Sequence, residues 1–147
     1  MDKAIIYCDG GARGNPGPAA AGFVIIGERG KPTYAEASAG RELAAKGVFL
    51  GENLTNNQAE YQSLILALEE AMKLKIKSLK VFSDSELLVK QLNGLYKVKD
   101  KGLKILFEKV KVLLFDFTTV RLAHIPRSQN KRADALVNQA LDRTAKD

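Results

Sequence analysis

The sequence has little of what secreted, disulfide-stabilised or membrane-spanning proteins need. Cys8 is its only cysteine, so neither an intrachain disulfide nor a metal cluster built from thiolates can form. No apolar run approaches the roughly 18–20 residues of a spanning helix, and residues 1–4 do not have the profile of a signal peptide. We therefore expect a protein of the reducing cytoplasm that does not associate with membranes.

What remains is the composition of an ordinary globular domain. The 147 residues are 46% hydrophobic and 27% charged, which is typical of one folded domain, here residues 1–147. The formal net charge is +6, and six lysines lie between Tyr96 and Lys111. A basic excess favours a polyanionic partner such as nucleic acid, although a lysine run alone is also typical of a solvated helix face.

The order of hydrophobic patterns predicts one mixed sheet covered by helices. A buried strand that ends at Asp9 opens the chain, and the glycine-rich residues after it predict a sharp turn. Helices join the later strands, which makes those strands parallel, whereas the first three form an antiparallel meander. The predicted strands are at 20–26, 33–38, 79–83 and 118–125, and the predicted helices are at 55–72, 85–92, 103–114 and after 128. Thr55 and Gln58 have the spacing of a capping box at the start of the first helix, and an apolar stripe follows them. The segment 40–54 is ambiguous, because it mixes a helix-like piece (41–46) with a strand-like one (48–50).

Four acids occupy comparable places in this pattern. Asp9 and Asp84 are predicted to end strands, and Glu60 and Asp134 to lie in the first turns of helices. Singly, each has an ordinary explanation as a turn residue, a helix cap or a charge at the positive end of a helix dipole. If the first and fourth strands are parallel neighbours, however, Asp9 and Asp84 meet at the edge where open α/β sheets bind ligands.

Carboxylates gathered at one edge repel each other unless a cation joins them. The single histidine, His124, cannot neutralise them, and hard oxygen ligands suit Mg²⁺ or Mn²⁺. Two such ions about 4 Å apart would clamp an in-line attack on a phosphodiester. Together with the basic excess, the acids indicate a metal-dependent enzyme that acts on nucleic acid.

Four motifs then carry a specific family resemblance. In chain order they are YCDGG (7–11) with NPG (15–17), TNNQAEY (55–61), SDS (83–85) and NKRADAL (130–136). Any one of them alone is weak, but four in this order resemble ribonuclease H of type 1. The resemblance implies a ribonuclease H-like α/β fold with a five-stranded sheet, three strands antiparallel and two parallel, flanked by helices on both faces.

The resemblance also implies the chemistry. The expected activity is endonucleolytic hydrolysis of the RNA strand of RNA/DNA hybrids, giving 5′-phosphate and 3′-hydroxyl ends. Two Mg²⁺ ions, which Mn²⁺ can replace, are expected at Asp9, Glu60, Asp84 and Asp134. Asp9 would bridge both ions, Glu60 and Asp84 would complete the ion on the leaving-group side, and Asp134 would hold the ion that activates water. The hybrid is the expected partner of a monomer that needs no obligate protein partner.

Asn15, Asn56 and Asn57 match family positions that contact the RNA near its 2′-hydroxyls. An amide side chain can donate and accept there, which distinguishes RNA from DNA. Asn56 and Asn57 are also placed to cap a helix, and both roles are compatible.

The chain departs from the family pattern in three places. Many members have a basic protrusion that carries Trp, but this sequence has no Trp and resembles members without the protrusion or a preceding hybrid-binding domain. We expect Tyr96, Lys97 and Lys99 to contact the DNA strand instead. The segment 41–54 is longer than the usual connection and has no assigned role.

His124 has two interpretations. Many members carry a catalytic His in a flexible loop before the last acid, and His124 precedes Asp134 by ten residues. Residues 122–127, however, have the pattern of a strand end followed by a short loop, which favours a structural His124 and brings Arg127 near the site instead.

Two other functions are possible for the whole chain. It could be a non-catalytic hybrid-binding relative, but the four acids argue against this. It could also be another nuclease or strand-transfer enzyme of this architecture, which would leave the motif at 55–60 unexplained.

Overall fold

Five strands form one mixed sheet in the computed structural model, which describes residues 3–28 and 41–146. The strands are β1 (Lys3–Ala12), β2 (Gly17–Gly27), β3 (Arg41–Leu54), β4 (Ser78–Ser83) and β5 (Thr119–His124). Their spatial order is β3-β2-β1-β4-β5. The pairs β1–β2 and β2–β3 are antiparallel, and β1–β4 and β4–β5 are parallel. The predicted architecture is confirmed.

Four helices cover the sheet: α1 (Asn56–Lys73), α2 (Glu86–Leu92), α3 (Lys101–Leu114) and α4 (Lys131–Lys146). α1 begins as predicted, because Gln58 N–H donates to Thr55 Oγ1 at 3.1 Å and Thr55 N–H donates to Gln58 Oε1 at 2.8 Å. This reciprocal pair satisfies two backbone groups at the helix start. Within the described ranges, no helix is long and apolar enough to cross a membrane.

Alternation along the central strands sends side chains into two cores, one on each face of the sheet. Ile6 and Phe23 pack on one face with the stripe of α1 that contains Leu64 and Leu68. Ala20 packs on the other face with Val137, Ala140 and Leu141 of α4. Each fully buried leucine contributes about 1.5–3 kcal/mol to folding. The sheet is therefore packed between α1 and α4, and both helices can present side chains toward the end of β4 and the neighbouring part of β1.

The ambiguous segment is a single strand, and the helix predicted at 41–46 is wrong. β3 is 14 residues long and pairs with β2 along its length, so it includes the strand-like piece at 48–50. The strand predicted at 33–38 lies outside the described residues. β3 is thus the third strand of the antiparallel part, and the segment 41–54 has a role as an edge strand of the sheet.

Pairing with β2 explains why residues with a helical pattern form a strand, and ion pairs with both helices accompany it. The register shifts between Ile25 and Ile26 of β2, so that Glu42 and Lys46 reach opposite faces of the sheet. Glu42 binds Arg132 of α4 at 2.7 Å, and Lys46 binds Glu70 of α1 at 2.6 Å. Tertiary pairing, which a local pattern does not contain, overrides the helical preference here.

The prediction that a turn follows Asp9 directly is also wrong. β1 continues to Ala12, and Asp9 pairs with Gly22 inside the ladder. The chain reverses only after Ala12, where Gly14 has a φ of +106° and Arg13 N–H donates to Pro18 O at 2.8 Å. Gly10 and Gly11 pair with Ala21 and Ala20 of β2. The glycines directly after Asp9 therefore belong to the strand instead of ending it.

Two strand glycines allow the helices to approach the sheet. A Cβ on Gly10 would clash with the backbone of Ala59 in α1, and a Cβ on Gly22 would clash with the carbonyl oxygen of Ala133 in α4. Each contacted residue directly precedes an acid, Glu60 or Asp134. Close packing at these glycines therefore brings two acids, one from each face, toward Asp9.

Gly22→Ala is expected to destabilise the protein by about 1–3 kcal/mol, because α4 must move away from the sheet to admit the methyl group. The measurement is equilibrium unfolding in urea. Gly102→Ala is the matched control, since a Cβ there meets its nearest neighbour, Asp100 Oδ2, at 3.4 Å. Inside α3 this change should stabilise by roughly 0.5–1 kcal/mol. Wild-type stability of Gly22→Ala would contradict the tight contact.

Candidate active site

Four carboxylates line one cleft of about 360 Å³ beside the end of β4. Asp9 lies within β1, Glu60 on α1, Asp84 directly after β4 and Asp134 in the first turn of α4. The parallel register pairs Cys8 with Ser83, so that Asp9 and Asp84 follow side by side. Oxygen atoms of Asp9, Glu60 and Asp84 lie within 4.8 Å of one another.

The structural explanations for three of these acids do not hold. Asp9 is in a strand and not in a turn. Ser85, and not Asp84, caps α2, because its side chain accepts from Leu88 N–H at 3.2 Å. Glu60 was predicted in the first turn of its helix, but α1 starts at Asn56 and its first turn contains no acid, so a favourable charge on the helix dipole does not explain Glu60.

Burial and repulsion from neighbouring carboxylates disfavour the charged forms of Asp9 and Glu60. Asp9 is 6% exposed, and burial, followed by the charge of Asp84, raises the pKa of Asp9 from 3.8 to about 8. Burial, followed by the charges of Asp9 and Asp84, raises the pKa of Glu60 well above its ordinary value. The backbone N–H of Gly10 only partly opposes both shifts.

The donor set fits a hard divalent cation. Within the described part of the chain, Glu60 Oε2 is buried and has no hydrogen-bond partner, so one oxygen of the cluster is available to a ligand. Asp134 stands on the α4 side of Asp9, close enough to raise the pKa of Asp9. Carboxylate oxygens in this number and spacing suit Mg²⁺ or Mn²⁺, which would also relieve the repulsion.

Arg127 reaches the cleft and His124 does not line it. Arg127 Nη2 lies 3.4 Å from Asp134 Oδ1, and the charge of Asp134 raises the pKa of Arg127. The arginine side chain is 80% exposed, so it can turn toward a bound anion. His124 is the last residue of β5, where it pairs with Ser83 and is exposed. The strand position expected for His124 is the observed one.

Two predicted substrate residues are joined to each other. Asn56 N–H donates to Asn15 Oδ1 at 2.9 Å, and Ala12 N–H donates to Asn56 Oδ1 at 2.9 Å. Because a backbone N–H can only donate, both amide oxygens face the backbone and both Nδ2 groups face away. The pair thus locks the turn after β1 onto the start of α1, beside an exposed Asn57.

The remaining predicted contacts lie outside the residues that line the cleft. Tyr96, Lys97 and Lys99 are exposed in the connection between α2 and α3. The ring of Tyr96 is held by Lys90, whose Nζ lies 5.0 Å from the ring centroid. Residues 93–100, which the structure describes throughout, form no helix. This agrees with a family member that lacks the protrusion.

Sequence reasoning missed three polar residues of this region. Arg13 and Asn138 line the cleft, and buried Asn130 contacts Asp84. Asn138 follows Asp134 by four residues and therefore lies on the same helix face, a spacing that could have revealed it. Arg13 carries no comparable local signal, because tertiary folding brings it to the acids. Asn130 opens the motif at 130–136, but its contact with Asp84 joins residues that are 46 positions apart.

The sheet order and the carboxylate cleft define a class, the ribonuclease H-like α/β domains. A family model described as reverse transcriptase-like matches residues 7–140. A ribonuclease HI of Halobacterium salinarum is 40% identical over 136 residues, which are 92% of this chain and 63% of that protein. A bifunctional protein of Mycobacterium tuberculosis is 37% identical over 143 residues, which are 97% of this chain and 36% of that protein. The chain thus spans less than two thirds of these curated relatives.

Solved structures agree with the sequence relatives. RNase H1 from Halobacterium salinarum superposes with a TM-score of 0.85 at 39% identity, covering 95% of this chain and 98% of that one. LC11-RNase H1, solved in complex with an RNA/DNA hybrid, superposes with a TM-score of 0.83 at 42% identity, covering 97% and 99%. The chain belongs to the reverse transcriptase-like family and, within it, to ribonuclease H of type 1.

Asp9→Asn is expected to leave the metal-free protein as stable as the wild type or more stable, by up to about 2 kcal/mol near pH 8. The pKa of Asp9 rises from 3.8 to about 8 on folding, so between these values the native state binds more protons than the unfolded state. Stability therefore falls as pH rises through this window, and the variant should flatten the fall. Thermal unfolding in chelator, from acid to alkaline pH, measures both effects.

The control is Asp142→Asn, which removes an exposed acid paired with Arg13. Its effect should stay within about 0.5 kcal/mol. A clear loss of stability in metal-free Asp9→Asn would show that the Asp9 carboxylate stabilises the fold.

Proposed function

We propose that this chain is an endonuclease that hydrolyses the RNA strand of RNA/DNA hybrids. The observation that carries the proposal is the convergence of Asp9, Glu60, Asp84 and Asp134 in one cleft of a ribonuclease H domain. Similarity to the ribonuclease HI of Halobacterium salinarum and to LC11-RNase H1, which was solved with a bound RNA/DNA hybrid, supports this activity and this substrate. Cys8 is free and buried, which is compatible with a reducing cytoplasm, where we expect the chain to act. We also expect it to act as one folded domain and as a monomer.

The four acids would hold two Mg²⁺ ions, for which Mn²⁺ can substitute. Asp9 is close to Glu60 and Asp84 on one side and to Asp134 on the other, which suits a ligand shared by both positions. Glu60 and Asp84 would then serve the leaving-group side and Asp134 the water side. When bound, such ions supply a polarised phosphate, a more acidic water and a stabilised leaving oxygen.

The products follow from the bond that breaks. Attack of a water oxygen on phosphorus forms one P–O bond while the bond from phosphorus to the 3′-oxygen breaks. The departing oxygen takes up a proton, which leaves a 3′-hydroxyl on one fragment and a 5′-phosphate on the other. Arg127, exposed at the rim and 3.4 Å from Asp134, would contact phosphate oxygens there.

Selection of the RNA strand is assigned to the asparagines beside the cleft. The Nδ2 groups of Asn15 and Asn56 point away from the backbone atoms that occupy their oxygens, so they can donate to the 2′-oxygen of a ribose. Asn57 would add a contact on the exposed side. A deoxyribose has no 2′-oxygen and would leave these donors without a partner.

The DNA strand is assigned to the connection between α2 and α3. Lys97 and Lys99 are exposed and can neutralise phosphates, and Tyr96 offers a ring that Lys90 orients. This short basic segment would do the work of the protrusion that other family members carry.

The purified chain is expected to cleave a labelled RNA/DNA hybrid in Mg²⁺ at least about a hundredfold faster than matched RNA/RNA or DNA/DNA duplexes, and chelator should stop it. Glu60→Gln and Asp84→Asn should each lower the rate by about a thousandfold, because a metal ligand contributes several kcal/mol to catalysis. Gel analysis of the products also identifies their ends.

The control variant for this assay is Glu108→Gln, an exposed acid of α3 that should cleave at the wild-type rate. Comparable cleavage of DNA/DNA would refute hybrid specificity. Tight binding of the hybrid without cleavage in Mg²⁺ or Mn²⁺ would identify a non-catalytic relative.

The double variant Lys97→Ala/Lys99→Ala is expected to raise KM for the hybrid several-fold with little change in kcat. Each lost phosphate contact should also reduce the salt dependence of binding by about one unit of slope. Lys73→Ala is the matched control, because this exposed lysine lies at the opposite end of α1 from the cleft. An unchanged salt slope would remove Lys97 and Lys99 from the hybrid interface.

A further inference from the structure

A buried asparagine connects three of the four acid-bearing segments. Asn130 directly precedes α4 and is 1% exposed. Its Nδ2 donates to Cys8 O at 2.9 Å and to Asp84 Oδ2 at 3.3 Å. Its backbone oxygen accepts from Asp134 N–H at 3.1 Å. One residue thus contacts the peptide before Asp9, the carboxylate of Asp84 and the backbone of Asp134.

The chemistry of its neighbours determines the orientation of the Asn130 amide. A carbonyl oxygen and an ionised carboxylate both accept hydrogen bonds, and neither can donate one. A rotated amide would place Asn130 Oδ1 against these two oxygen atoms, which is repulsive. In the observed orientation Oδ1 is buried and, among the described residues, has no partner. Buried acceptors are usually satisfied, so the contacts of the donor side determine the placement of this side chain.

A neutral donor suits a cluster that must receive a cation. Asp9 and Glu60 repel Asp84, and without a tether the Asp84 carboxylate would turn toward solvent. The Nδ2 of Asn130 holds one oxygen of Asp84 and leaves the other for a metal ion. A lysine or arginine at this place would add a positive charge that competes with the ion, whereas an amide adds none.

From this geometry we propose that Asn130 is a positioning residue that orients Asp84 relative to Asp9 and Asp134 for binding of divalent metal. The inference rests on the proposed function, because it assumes that the acids bind metal. Asn130 itself does not touch the reacting atoms. Hydrogen bonds that orient a ligand are typically worth tenfold to a hundredfold in metal affinity.

Asn130→Ala is expected to weaken the affinity of the free protein for Mn²⁺ by about tenfold or more, measured by titration calorimetry well below the melting temperature. The kcat for hybrid cleavage should fall, while KM for the hybrid stays near the wild-type value. Thr144→Ala is the control, since Thr144 Oγ1 also donates to a backbone oxygen, Ala140 O at 3.0 Å, but outside the cleft. Thr144→Ala should change neither the Mn²⁺ affinity nor the kcat.

A double-variant comparison separates positioning from stability. In an Asp84→Asn background, Asn130→Ala should cause little further loss of Mn²⁺ affinity, because the carboxylate that it orients is already absent. Additive losses would overturn the proposal. A lower melting temperature with wild-type Mn²⁺ affinity would overturn it as well, because Asn130 would then support only the fold.

The wild-type protein provides the test if the Asn130 variant does not fold. The side-chain amide signals of Asn130 in ¹⁵N spectra should shift during a Mg²⁺ titration, along the same curve as the calorimetric signal. No shift at saturation would contradict the proposal. These metal titrations need no nucleic acid. If the Mn²⁺ affinity depends on Asn130 but the wild type does not cleave hybrids, only the proposed function is refuted. If the wild type cleaves hybrids and Asn130→Ala binds Mn²⁺ and cleaves as the wild type does, only the role of Asn130 is refuted.

Discussion

Repulsion among clustered, partly buried carboxylates is the constraint on which this structure depends. Asp9, Glu60 and Asp84 place oxygens within 4.8 Å of one another, where burial and mutual charge raise the pKa of Asp9 and Glu60. Such a cluster opposes folding, so the rest of the chain must hold it together. The large hydrophobic core under α1 and the smaller one under α4 supply that stability and keep the acids in a geometry that a cation can use.

Close packing of the helix backbones against the strand backbones positions the acids of α1 and α4. The glycines at positions 10 and 22 admit α1 and α4 to the two faces of the sheet, and each helix is pressed against the strands at the residue before its acid. Glu60 and Asp134 thus approach Asp9 from opposite sides. The position of Asp9 within the β1–β2 ladder, rather than in a turn, makes it the rigid centre of the arrangement.

Local patterns predicted most elements but failed where tertiary contacts decide. The capping pair Thr55 and Gln58 and the stripe that follows it predicted α1, because both signals lie within one helix. The same reasoning misread residues 41–46, whose helical preference gives way to pairing with β2 and to ion pairs with both helices. The sequence pattern also predicted that β1 ends at Asp9, because glycines after an acid usually mark a turn. In the structure Gly10 lies inside the strand and admits α1.

The sequence by itself determined the class of fold, the family and the identity of the four acids, because these depend on periodicity, capping and motif order along the chain. Only the tertiary structure decided how the acids are held: which face each approaches from, that Ser85 and not Asp84 caps α2, and that Asn130 connects β1, Asp84 and α4. The physical reason is that the pKa shifts depend on burial and on the distances between the acids, and that each hydrogen bond depends on the distance and angle between its two groups. These relations arise only when residues far apart in the chain are packed together.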